Sequence, residues 1–210
     1  MAKNTASDAA ITRKRIISCG QALFATHGYR ATRTADVARD AGVSEGALFH
    51  HFKDKTTLFK AVVEKLQYKF ATEIVASTTA ESEPLTIFLT GSRKSLELSQ
   101  SSEYLRIVML EAPTVLGEFD WRQQDARVGL MMIEPNLRSI AGRDDIPDAA
   151  LKPMALLVMG LINETIFALA RGDSGVSVEG CIALLEAAVV EWARRANAGD
   201  ASARPRNVSV

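Results

Sequence analysis

Apolar residues recur every three or four positions along nearly the whole chain, and no stretch alternates apolar and polar β-branched residues. A period near 3.6 puts such residues on one face of a helix, whereas a half-buried strand needs a period of two. The pattern restricts the chain to an all-α fold. The first stripe lies over 12–27, where Ile16, Cys19, Leu23 and His27 repeat at helical spacing and Ile17 and Phe24 widen the face. Gly28 follows as a C-terminal stop.

A composition of 47% apolar residues over 210 positions is enough for a real core. Cys19 and Cys181 are too few for a disulfide scaffold and fit a reducing compartment. Residues 1–10 are polar and lack the apolar stretch of a secretion signal. The apolar run 154–170 is interrupted by Asn163 and Glu164 and preceded by Pro153, which favours a buried helix over a membrane span. A soluble, cytoplasmic protein is expected, with no membrane partner. No Gly-rich phosphate loop, zinc spacing, nucleophile elbow or paired-Cys motif is present, so neither an enzyme nor a cofactor is expected.

The 25 Lys and Arg balance 25 Asp and Glu, but unevenly. Residues 1–60 carry ten bases against five acids, together with all three His; residues 61–210 carry 15 bases against 20 acids. A basic head on an acidic body suggests that the head meets a polyanion.

Within the head, 34–41 and 44–50 read as two short helices around Gly42 and Val43. Thr34 and Ser44 are suited to cap their N-termini, and Asp36 sits at the positive end of the first. Ala38 is small where the helices would cross, and Gly42 tolerates a left-handed corner. Val37 and Val43 would fill the space between. This is the spacing of a helix-turn-helix unit, whose second helix enters the major groove of DNA. Gly46 and Ala47 would allow close approach to bases.

The stretch from Thr12 to Leu66 resembles the N-terminal domain of the tetracycline-repressor (TetR) family of bacterial transcriptional regulators. The likeness is carried by Leu23-Phe24, Gly28-Tyr29, Thr32, Thr34, Val37-Ala38, Ala41-Gly42-Val43-Ser44, Gly46, Leu48-Phe49, His51-Phe52, Lys55 and Leu58. Glu111-Ala112-Pro113, Val115-Leu116-Gly117, Trp121-Arg122 and 160–164 further resemble one subgroup of TetR-type C-terminal domains. The resemblance implies a helix-turn-helix head over 1–54 and a larger helical domain over 55–197 that binds a small ligand and dimerises. The polar segment 198–210 reads as a disordered tail.

The resemblance also assigns candidate DNA contacts. Thr32, Arg33 and Thr34 are expected at phosphates, unless they serve only as a cap. Ser44 is expected as both cap and phosphate neighbour. Glu45 either accepts from a cytosine amino group or is a solvated charge. Leu48 either packs or touches a thymine methyl. Phe49 stands where the family most often has Tyr, so there is no hydroxyl at that position to bond a phosphate. His51 is expected at a phosphate and His50 at the groove edge. Being adjacent, they point apart and make a poor metal pair. Lys53 and Lys55 are expected at phosphates, with Asp54 capping the next helix.

That helix, 55–78, carries Leu58, Val62, Leu66, Phe70 and Ile74 on one face. Further helices are expected over 84–99, 103–112 (ending before Pro113), 117–141 (broken or kinked at Pro135), 148–171 (starting late or bending because of Pro153) and 177–197. Phe70, Phe88, Tyr104, Met109, Trp121, Met132 and Phe167 could line a ligand cavity, with Arg106 and Asn163 orienting the ligand; ordinary core is the alternative. The segment bearing Leu156, Met159 and Leu161 is apolar on nearly all sides. With Ile182, Leu185, Val189 and Trp192 of the last helix, it suggests a four-helix dimer interface rather than intramolecular core alone. The function this implies is a homodimeric repressor on a palindromic operator in double-stranded DNA, released by a small-molecule effector. The alternative is an architectural DNA-binding protein without an effector.

Overall fold

The structure, a computed structural model, describes residues 6–80 and 83–202. Every regular element among them is helical: α1 (Ala6–Ala31), α2 (Thr34–Asp40), α3 (Glu45–His51), α4 (Lys55–Ser77), α5 (Pro84–Ser99), α6 (Ser102–Tyr104), a π-helical segment π1 (Leu105–Glu111), α7 (Ala112–Leu116), α8 (Glu118–Ala141), α9 (Asp148–Arg171) and α10 (Val178–Ser202). The chain forms two compact units, one comprising residues up to Phe70 with Ser101–Gln124, the other Ala71–Gln100 with Asp125 onward.

The first unit is built on Ile16, Phe24, Val37, Leu48, Phe52, Leu58, Phe59 and Val62, each at most 1% exposed. Phe24, Tyr29 and Phe59 form an aromatic triangle with centroids 5.0–5.9 Å apart. This cluster ties the C-terminal end of α1 to α4. In the same unit, π1 contributes Ile107, Val108 and Met109 to the interior, and Phe70 stacks on Tyr104 at 4.5 Å.

The second unit packs α5, α9 and α10 together. Leu96, Leu137, Leu151, Ala155, Val158, Leu185 and Val189 are fully buried there. The buried hydroxyls of Ser95 and Ser99 donate to carbonyls three residues back in α5, so the apolar interface leaves neither unsatisfied. The Trp192 indole donates to the Ala150 carbonyl at 3.1 Å, joining α10 to the start of α9.

Several element bounds differ from the sequence expectation. α8 runs unbroken through Pro135. Pro135 has no N–H for the Met131 carbonyl, and in the next step of the helix the Asn136 side chain donates its Nδ2 to the Met132 carbonyl at 2.7 Å. Segment 103–112 is mostly π-wound, and helical structure continues past Pro113 to Leu116. Pro113 has no N–H for the Met109 carbonyl, its α-type acceptor, and a wider turn precedes it. α9 has the expected bounds, Asp148–Arg171, and carries Pro153 within it without a late start. α10 extends to Ser202, so 198–202 of the expected tail are helical, while 203–210 lie outside the described residues. By length and composition alone α9 could cross a membrane, and only 33% of its most apolar window is buried within the chain.

Candidate nucleic-acid interface

The site starts from the turn between α2 and α3. Gly42 takes φ 62°, and its N–H donates to the Arg39 carbonyl at 3.0 Å. The Val43 N–H reaches back five residues to the Ala38 carbonyl at 3.0 Å. This double closure satisfies the last carbonyls of α2 and reverses the chain sharply, which a Cβ at position 42 would oppose. Ser44 then caps α3, its Oγ accepting from the Ala47 N–H at 3.2 Å. Val37 and Ala38 on α2 and Leu48 on α3 are buried, so the two helices are held by a small core of their own.

α3 consequently has one buried and one open face. Leu48 and Phe52 point inward; Glu45, Gly46, Phe49, His50 and Lys53 are exposed. Ala47 and His51 are half-buried. The Thr34 hydroxyl lies 3.4 Å from a Glu45 carboxylate oxygen, bringing the start of α2 beside the start of α3. Arg33 precedes α2 in extended conformation, exposed and making no side-chain cap. The open face thus combines a helix N-terminus, small residues, an imidazole and the exposed cations Arg33 and Lys53.

Three of the expected DNA-contacting residues turn inward. The Thr32 hydroxyl donates to the Gly28 and Leu23 carbonyls at 2.8 and 3.2 Å, its N–H also goes to Gly28, and the residue is 3% exposed. It has no donor left for a phosphate. Leu48 is 0% exposed and cannot reach a thymine methyl. The Lys55 ammonium donates to the carbonyls of Tyr29, Thr32 and Arg30 at 2.9, 3.0 and 3.4 Å and sits 4.4 Å from the Tyr29 ring centroid. The negative end of α1 and a π face hold it, so its charge closes the head rather than facing outward. Asp54 caps α4: the N–H and hydroxyl of Thr57 donate to it at 2.7 and 2.8 Å. Those two bonds hold its carboxyl below the usual range.

One part of the first unit is not legible in the sequence. Gly28 breaks α1 with φ 81° and ψ 167°. Around this break, Arg106 Nη1 donates to the Ala25 and Thr26 carbonyls, each at 3.1 Å, and a Glu111 carboxylate oxygen accepts from the Tyr29 N–H at 2.8 Å. Arg106 and Glu111 also pair at 3.4 Å. Arg106, expected to orient a ligand, is thus committed to the end of α1. A few residues away, Gln21 Nε2 donates to Glu103 at 2.8 Å.

The remaining candidate residues fall as follows. Phe70, Tyr104, Met109 and Trp121 belong to the first unit, and the last three are buried. Trp121 buries its indole N–H with no described partner. Phe88, Met132, Asn163 and Phe167 belong to the second unit, where Asn163 Nδ2 donates to Asp125 at 3.1 Å. Of the candidate interface residues, Ile182, Leu185 and Val189 lie in the second unit's own core, and Met159, Leu161 and Trp192 are half-buried. Leu156 is 51% exposed; Leu157, Leu184 and Val190 are also exposed apolar residues of this unit, as are Val75, Met131 and Val176.

A tri-helical head whose third helix is capped, pinned by its own small core and open on one face is a helix-turn-helix DNA-binding domain. Residues 16–62 match the family model described as "Bacterial regulatory proteins, tetR family", and residues 85–193 match "Tetracyclin repressor-like, C-terminal domain". The chain belongs to the TetR family of bacterial transcriptional regulators, which are DNA-binding proteins and not enzymes. It is 30% identical over 110 residues to the HTH-type transcriptional regulator AcrR of Shigella flexneri, covering 52% of this chain and 51% of that one. It is 32% identical over 100 residues to the HTH-type transcriptional repressor KstR2 of Mycolicibacterium smegmatis, covering 46% and 49%. The chain therefore spans about half the length of these relatives. The crystal structure of a TetR-family regulator from Pectobacterium atrosepticum superposes with a TM-score of 0.63 at 28% identity, covering 88% of this chain and 93% of that one.

Proposed function

We propose that this chain is a homodimeric repressor that reads a palindromic operator with α3 and is released by a small apolar effector. The observation that carries the reading is the open face of α3: a capped helix presenting Glu45, Gly46, Phe49 and His50 beside the exposed cations Arg33 and Lys53. Glu45 and His50 are assigned to base edges, with Gly46 and Ala47 admitting the backbone close to the groove floor. Arg33, Thr34, Ser44, His51 and Lys53 are assigned to phosphates, and Phe49 to the sugar-phosphate edge. Thr32, Leu48 and Lys55 hold the shape of the reader. Repression is supported by the repressor named among the relatives.

The reading domain is assigned to 1–54, and effector binding and dimerisation to 55–197. Leu156 and Leu157 on α9 and Leu184 and Val190 on α10 are apolar, exposed and in the same unit. A second copy covering them would form a four-helix bundle and set two heads against two half-sites. It would also account for the apolar surface of α9 without a membrane, in a cytoplasmic protein. The effector is assigned to the second unit near Phe88, Met132, Asn163 and Phe167. It acts by binding more tightly to a dimer whose heads no longer match the operator.

Selection of bound duplexes from a random pool, followed by titration of the winning sequence at moderate salt, tests the reading. An inverted repeat whose preference changes in H50A is expected. Binding without sequence preference would overturn it. A thermal-shift panel of small apolar compounds tests release: a compound that raises the melting temperature should weaken operator binding. An unresponsive protein with weak sequence preference would instead be architectural.

A further inference from the structure

We propose that Arg13, near the start of α1, is a phosphate-binding residue that extends the DNA interface beyond the helix-turn-helix, forming with His51 and Lys53 one basic strip against the phosphodiester backbone beside α3. The inference rests on the DNA-binding reading above. Its carrying observation is a position: the Arg13 guanidinium lies 4.9 Å from the centroid of the Phe52 ring. Phe52 closes α3 between His51 and Lys53 and is itself 1% exposed. The ring therefore holds the guanidinium at the edge of the recognition helix while Arg13 remains exposed. Stacking on an aromatic face leaves the in-plane N–H donors of an arginine available and limits the entropy lost when they engage an oxygen.

The charge pattern points the same way. Arg13 and Arg33 have no described carboxylate partner, and Lys53 is exposed with no described salt bridge, its charge acting only through space on the adjacent Asp54. Elsewhere most described arginines are paired with carboxylates, among them Arg39, Arg106 and Arg122 of the first unit and Arg93, Arg138, Arg143, Arg171, Arg194 and Arg195 of the second, where Arg127 is the exception. An unpaired guanidinium held on Phe52, next in sequence to the exposed Lys53 at the end of a groove-reading helix, is matched to a polyanion. Helix geometry supplies an internal control. Arg15 is also exposed and unpaired, but two residues along an α-helix turn it about 200° from Arg13, away from Phe52.

The test uses the full chain and two duplexes, the selected operator and a scrambled sequence of equal length. Dissociation constants are measured between 50 and 200 mM salt by fluorescence anisotropy. R13Q is expected to weaken both complexes and to make the log–log salt slope shallower by about 0.9 for each phosphate no longer neutralised. R13K should restore most of the slope, and R15Q should match the unsubstituted protein. A smaller folded fraction would offset the affinity without changing the slope, so instability of R13Q cannot imitate this result. An unchanged slope in R13Q, or an equal effect in R15Q, would overturn the proposal. Failure of the unsubstituted chain to bind either duplex would instead remove the DNA-binding reading itself.

Discussion

Lys53 and Lys55 stand two positions apart and are chemically the same residue, yet their ammonium groups have different surroundings. Lys53 is exposed, whereas Lys55 spends its donors on three carbonyls at the end of α1. Sequence spacing cannot separate them, because what turns Lys55 inward is the position of α1 against α4. Substitution separates them. K55M should lower the stability of the head by about 2 kcal/mol, since it strands carbonyls that were bonded to a charged donor, and should leave the salt slope of DNA binding unchanged. K53M should do the reverse, leaving the urea midpoint in place and reducing the slope by about 1.8, one phosphate in each of the two half-sites. Equal slopes in the two variants would remove Lys53 from the interface. A role settled within one turn of chain is legible for Ser44 and Asp54 but not for Thr34, expected to cap α2, which lies inside that helix while Arg33 takes the cap position without a side-chain bond. Ser44 and Asp54 cap α3 and α4 as their chemistry dictates. Thr32 and Leu48 are not legible, because hydroxyl and thymine-methyl contacts suit the residue types equally well until the tertiary packing is known.

At the scale of elements, π1 and the break in α1 explain each other. Arg106 and Glu111 are five residues apart; in an α-helix that separation turns side chains roughly 140° from one another. A π-helical turn bonds residue i to i+5 and brings them to one side, which lets both groups grip the same break at Gly28. A Cβ at Gly28 would lie 2.6 Å from Glu111 Oε1 and 2.8 Å from Arg106 Nη2, at a φ of 81°. G28A should therefore destabilise the first unit by on the order of 2–3 kcal/mol, because a strained backbone and a displaced ion pair combine. Urea denaturation read through Tyr and Trp fluorescence checks it; a change below about 0.5 kcal/mol (the size of an ordinary surface substitution) would mean the break is not gripped. Gly28 is legible as a helix stop, but its partners, 81 and 82 residues from the groups they bond, are not. The cap of α4 gives a pH prediction. Asp54 is held below its ordinary value by the N–H and hydroxyl of Thr57. The contribution of its charge is thus complete above the unfolded carboxylate value, near about 3.9, and is lost as pH falls through the lower folded value. D54N should flatten that part of the acid-stability curve, which circular dichroism across roughly pH 2–5 would detect.

For the whole molecule, a zero net charge conceals a division between a basic first sixty residues and an acidic remainder, and that division is legible because charge needs no fold to be counted. The faces of the long apolar helices are not. Period and composition mark α9 and α10 as buried helices, but Leu184 and Leu185 are neighbours in sequence, one 62% exposed and the other fully buried. Their contrast supplies the decisive test of the assembly. L184E replaces a side chain that already meets solvent in a single protomer, so it should leave the protomer's core intact. Placed in a two-fold interface, however, it brings two carboxylates together at an apolar seam, where desolvation and like charge act against association. L156E makes the same test from α9. Either variant should sediment as a folded monomer at concentrations where the unsubstituted chain is dimeric, with its helical circular dichroism retained and its affinity for the two-half-site operator falling at least tenfold. L185A, in the core, should instead lower stability by about 2–5 kcal/mol while any protein that remains folded still dimerises. If L184E and L156E both remain dimeric, the exposed leucines are not the seam, and the two heads must be joined through some other surface.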